Sequence, residues 1–157
     1  MSELKKETRI GLIIIRKINE KKIALLLVLR GKIIEGFSVT LFKTSFELAT
    51  SILSTKYYGE LRYVILLPLN MVINKIDDMF LRVLKPLIVI NSNFELEKHV
   101  GIDVDSCQII INYFIKHIDH EIINFSLKLI NEISSLLRLL EEKQCHNGNQ
   151  LKYVSKY

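Results

Sequence analysis

Residues 23–50 read IALLLVLRGKIIEGFSVTLFKTSFELAT, and this stretch decides the fold. Ile23–Leu29 is an unbroken apolar run, the pattern of a strand. Arg30-Gly31-Lys32 is a tight turn, with Gly31 free to take the positive φ that other residues resist. Ile33–Phe42 then supplies another extended run. Upstream, Arg9–Arg16 and Lys22–Leu29 flank a charged turn with Asn19 and Glu20 at its tip, which makes them an antiparallel pair. Three antiparallel strands therefore open the chain.

Downstream, Thr44 or Ser45 is the natural N-cap of a helix over Ser45–Lys56, with Leu48, Ile52 and Leu53 at helical spacing. Tyr63–Leu67 reads as a central parallel strand stopped by Pro68. A helix over Ile73–Leu84 gathers Ile76, Met79, Phe80 and Val83 on one face, and Lys85-Pro86 turns the chain into a buried strand at Leu87–Ile90. The expected order is β-β-β-α-β-α-β. Beyond Asn91 the pattern is helical, over Val104–His117 with Asp103 as cap and over His120–Lys143. In the second of these helices Asn124, Lys128, Asn131, Ser135, Arg138 and Glu142 form one solvated stripe and leave a broad apolar face. From Gln144 onward the polar run around Asn147-Gly148-Asn149 reads as a flexible tail. The expectation is one domain over residues 1–143 and a tail over 144–157.

A length of 157 residues suits one domain. Apolar residues make up 49% of the chain and the mean hydropathy is +0.24, which raises the question of a membrane. The longest apolar run, Ile23–Leu29, falls far short of the roughly 18 residues a spanning helix needs, so no membrane partner is expected. MSELKKETR has no apolar segment of the kind a signal peptide carries. With only Cys107 and Cys145, a cytoplasmic protein with reduced thiols is the expectation. The net charge of +5 permits a polyanionic partner without requiring one.

Leu29-Arg30-Gly31-Lys32 with Gly36, Ala49-Thr50, Tyr58-Gly59-Glu60-Leu61-Arg62 and Lys85-Pro86-Leu87-Ile88-Val89-Ile90 together resemble the archaeal deoxyuridine endonuclease family. That family is related to endonuclease V. The resemblance implies an α/β fold of the ribonuclease H-like (endonuclease V-like) type, with a mixed sheet followed by C-terminal helices. It also implies metal-dependent cleavage of DNA at deaminated bases, by acids on the first strand, the fourth strand and a nearby helix. The family pattern carries a Gly-Ile-Asp-Asp-Gly start, a Val-Asp-Gly-x-Asp-Ala-Thr turn and a Leu-Asp-Gly strand end. Those places here read Gly11-Leu12-Ile13-Ile14, Thr44-Ser45-Phe46-Glu47-Leu48-Ala49-Thr50 and Leu66-Leu67-Pro68, and no Asp precedes Asp77. Mg²⁺ wants oxygen ligands, which Ile13, Ile14 and Leu67 do not offer.

The expected protein is thus a divergent, non-catalytic relative that needs no cofactor. Two roles stay open for it: nucleic-acid binding, or service as a partner subunit in a homo- or hetero-oligomer through the apolar face of the last helix. Basic residues for the first role are Lys17, Lys21, Lys22, Arg30 and Lys32. The alternative is an active endonuclease using Mg²⁺ or Mn²⁺ at a rebuilt site. Its candidate acids are Glu35, which looks structural beside Gly36, and Glu47, which complements a helix dipole. His117, His120 and Glu121 are candidate metal ligands by their three- and four-residue spacing, although a polar connection between two helices is the commoner explanation. Asp77-Asp78 are adjacent, and so diverge on a helix. Cys107 reads as a core thiol, Cys145 as an exposed one, and Tyr57, Tyr58 and Arg62 as packing residues.

Overall fold

The alternation of apolar runs and turns produces a six-stranded mixed sheet with helices on both faces. The computed structural model describes residues 5, 7–118 and 120–154, with side chains as far as residue 146. The strands are β1 (Arg9–Ile18), β2 (Lys21–Arg30), β3 (Ile33–Phe42), β4 (Leu61–Leu69), β5 (Leu87–Ile90) and β6 (Leu96–Val100), in the order β3-β2-β1-β4-β5-β6. β1, β2 and β3 form an antiparallel meander; β4 and β5 run parallel to β1, and β6 antiparallel to β5. The helices are α1 (Ser45–Leu53), α2 (Ile76–Val83), α3 (Val104–His117) and α4 (His120–Val154). The chain is therefore an α/β protein, as its sequence implies.

Two cores follow from the pleat. Even-numbered residues of β1, such as Leu12 and Ile14, pack under α3 and α4 with Phe114 and Ile130. Odd-numbered ones, such as Ile13 and Ile15, pack under α1 and α2 with Ile52 and Met79. β1, β2, β4 and β5 thus have cover on both sides, and this is why their sequences run apolar without alternation.

Four features depart from the expected elements. β6 was not anticipated, because its centre is Glu97-Lys98-His99, all exposed, and an edge strand of that composition carries no apolar period. It is set by a side-chain-closed turn, in which Asn91 Oδ1 accepts from the backbone N–H of Asn93 (2.9 Å) and of Glu95 (3.0 Å). Pro68 does not end β4. The β4–β5 pairing stops at Leu66↔Val89, so the donor that Pro68 lacks would face no β5 neighbour. Helix α1 ends at Leu53, and α2 begins at Ile76, each shorter than its apolar pattern. Finally, α4 continues to Val154, past Lys143, because the chain there contains no proline and a solvated helix needs no apolar stripe to persist.

Gly101 joins the sheet to α3 at φ +75°, and a Cβ there would lie 2.2 Å from the Phe80 ring. Both backbone and space demand glycine at this junction.

Candidate functional site

The sheet brings together the two strand positions where a ribonuclease H-like nuclease would keep acids. Ile14 pairs directly with Leu67, and Ile13 with Leu66, across the parallel β1–β4 ladder. Ile14 and Leu67 share the face under α3 and α4. Their exposures are 0% and 2%. A hard divalent cation needs several oxygen ligands and keeps waters; this spot offers hydrocarbon and no water access. The residues do not fit Mg²⁺ or Mn²⁺.

Glu35 and Glu47, the candidate acids, each have a structural partner. Glu35 occupies the β-bulge where β3 slips against Val28 and Leu29 of β2. Its carboxylate takes Arg9 Nε at 2.5 Å and Arg30 Nε at 2.6 Å, and Arg9 also reaches Glu60 at 2.6 Å. The hydrogen bond from Arg9, with the charge of Arg30, holds the Glu35 carboxyl below its ordinary range against the opposing effect of partial burial. Glu47 makes a variant of the capping box, reaching the residue before the cap. Thr44 Oγ1 accepts from Glu47 N–H (3.2 Å), and Glu47 Oε2 accepts from Lys43 N–H (2.6 Å). The two acids sit near opposite ends of the ten-residue β3, on the order of 20–25 Å apart along the strand.

The Glu35 cluster makes a pH prediction. A carboxyl whose folded pKa is depressed adds stability above its unfolded pKa of about 4.3 and loses it as pH falls through the folded value. Glu35→Gln should therefore melt below the parent at neutral pH, and the gap should close on acidification from about pH 5 downward. Melting curves that stay parallel through that range would show that the Arg9–Glu35–Arg30 cluster does not contribute.

His117, His120 and Glu121 fall at a helix break. His117 ends α3, His120 begins α4, and buried Ile118 lies between them with extended backbone. Three- and four-residue spacing therefore fails to stack them on one helical face. The His117 ring lies instead against Tyr113, with centroids 4.4 Å apart. Among the described residues, no three His, Cys, Asp or Glu side chains gather as metal ligands.

The basic residues divide between the two ends of β2. Lys17 pairs across the ladder with Lys22. Lys21 Nζ meets Glu141 Oε1 of α4 at 3.7 Å, and Lys22 Nζ donates to the Lys43 carbonyl at 3.2 Å. Arg30 and Lys32 lie at the far end, where they line a hollow of about 400 Å³ with Tyr113 and His117. Arg30 is already held there by Glu35 and, at 3.2 Å, by Glu7. Tyr57 packs against Gly36, and the Tyr58 hydroxyl donates to the Val83 carbonyl. Both are packing residues, as their sequence suggested, whereas Arg62 is exposed instead of packed. Cys107 is buried and its thiol is pushed up by that burial; Cys145 is exposed.

The apolar face of the last helix was offered by the sequence as a partner surface, whereas the exposed side of β3 was missed. Ile33, Phe37, Val39 and Leu41 of edge strand β3 are exposed, as are Phe125, Leu136, Leu139 and Leu140 of α4. Apolar alternation on a strand reads as core, so nothing in the sequence separates an uncovered strand from a covered one.

No protein-family profile matches this chain, and no curated protein sequence matches it. Among solved structures it is similar to the crystal structure of a protein of unknown function from Archaeoglobus fulgidus DSM 4304. The identity is 16%, the match covers 67% of this chain and 61% of that one, and the TM-score is 0.47. The chain thus spans less than two thirds of that protein's length.

Proposed function

We propose that this protein is a non-catalytic, ribonuclease H-like relative of the endonuclease V-related family, working as a partner subunit and not as a nuclease. The observation that carries the reading is the Ile14–Leu67 pair: the strands that would present metal-binding acids side by side present two buried hydrocarbons instead. Support for the fold reading comes from the opening antiparallel meander, with β1 set between antiparallel β2 and parallel β4. A partner role draws support from the uncovered apolar residues of β3 and α4, since large exposed apolar patches mark interaction surfaces. Nucleic-acid binding is the weaker role, because Lys17, Lys21 and Lys22 lie roughly 26–30 Å along β2 from Arg30 and Lys32.

The alternative, a metal-dependent endonuclease acting on deoxyuridine in DNA, requires Glu35, Glu47 or the His117–Glu121 segment to converge. A protein that binds a metal only in its folded state melts higher when the metal is present. Millimolar Mg²⁺ or Mn²⁺ should therefore leave the melting temperature unchanged. A rise that Glu47→Ala or His120→Ala removes would overturn the non-catalytic reading.

A further inference from the structure

We infer that the partner is a second copy of this chain, joined through antiparallel pairing of β3 with its symmetry mate and flanked by the two α4 helices. This deepens the partner-subunit reading and rests on it. β3 is an edge strand of ten residues. Natural edges are blocked by lysine, proline or a covering element, but Ile33–Phe42 contains no Lys, Arg or Pro. Its only charge, Glu35, is neutralised within the chain by Arg9 and Arg30. The bulge at Glu35 lies near the start of the strand, and Gly36–Phe42 pair regularly with β2.

The two faces of β3 differ. On one face Thr40 bonds Ser51 of α1 and Gly36 abuts Tyr57, so α1 and the segment after it supply cover. On the other, Phe37, Val39 and Leu41 sit opposite Leu27, Leu25 and Ile23, which belong to the core under α3 and α4. Directly opposed residues share a face, so these three project on the α4 side. Helix α4 stops short of covering them: Phe37 stays 69% exposed.

The flank of α4 that turns toward β3 is apolar as well. Arg16 of β1 bonds Asn131, which fixes the flank facing β1. Phe125, Leu129, Ile133, Leu136 and Leu140 recur at three- and four-residue steps on roughly the opposite flank. Of these, Phe125, Leu136 and Leu140 are 62%, 60% and 57% exposed. Aromatic side chains bury roughly 150–250 Å² each, and leucine and valine somewhat less. Together with β3, this flank offers on the order of 700 Å² per copy, or about 1,400 Å² in all, the size of a standard specific interface.

A two-fold axis makes an edge strand its own complement, and the apolar pairing of Leu41 selects the register. Centred on Val39, the pairing sets Phe37 against Leu41 of the other copy, Ser38 against Thr40, and Glu35 against Lys43. A shift to Ser38 would place Glu35 against Leu41 instead.

Sedimentation equilibrium of the full chain should give about twice its 18.3 kDa mass, and high salt should not reverse it. Val39→Lys places two ammonium groups face to face and should yield monomers with unchanged circular dichroism. In a Cys145→Ser background, Val39→Cys should crosslink to a dimer on oxidation, and Leu41→Cys should not. A monomer at every concentration, a dimer indifferent to Val39→Lys, or equal crosslinking of both cysteine variants would each overturn the pairing. Metal-dependent stabilisation, measured separately, would instead overturn the non-catalytic reading.

Discussion

Ile14→Asp combined with Leu67→Asp should unfold the protein and should not create a nuclease. The two positions are neighbours on parallel strands, about 4.8 Å apart, and both are buried. Each substitution forfeits about 1.5–3 kcal/mol of apolar burial. Each also forces a carboxylate into the core beside another of like charge, with only Arg16, two residues from Ile14 on the same strand face, near enough to offset it. A single effect above about 4–5 kcal/mol is already exceptional, and two of this kind consume most of a typical stability of 5–15 kcal/mol. Circular dichroism at neutral pH should show a disordered chain with or without Mg²⁺. A folded double variant that binds Mn²⁺ would mean that the frame can hold a two-carboxylate metal site.

The second large effect concerns Phe114 on α3. It is fully buried, with its ring 6.0 Å from that of Phe94 and tilted by 42°. It anchors α3 to the even-numbered side of β1 and to β4 and β5. Phe114→Ala leaves a cavity that the surrounding Ile and Leu side chains fill only in part, so a loss of about 3–5 kcal/mol is expected in urea unfolding. A loss below about 1 kcal/mol would show that α3 is loosely attached.

Most of the sheet is legible in the sequence because its inner strands are covered on both faces. Ile23–Leu29 and Leu87–Ile90 are read as strands once Gly31 and Lys85-Pro86 mark their boundaries. β6 is illegible for the converse reason: a five-residue edge with three exposed polar residues is specified by pairing with β5, which is a tertiary effect. The absence of acids on β1 and β4 is plain from residue identity, while the roles of Glu35 and Glu47 required partners distant or local that spacing does not display. Arg9 lies 26 residues from Glu35, and only the meander brings them together. The apolar face of α4 was legible, but not which part of it stays exposed. A helix whose apolar residues outnumber its polar stripe reads as buried, and only the position of the sheet beneath it shows where cover stops.

A cleavage assay with purified protein tests the central claim most directly. The substrates are single- and double-stranded DNA containing deoxyuridine or deoxyinosine, incubated with Mg²⁺ or Mn²⁺. With Ile14 and Leu67 where metal-binding acids would stand, the substrates should come through uncut. Metal-dependent cutting that survives repurification and disappears in Glu35→Gln or Glu47→Ala would contradict the account.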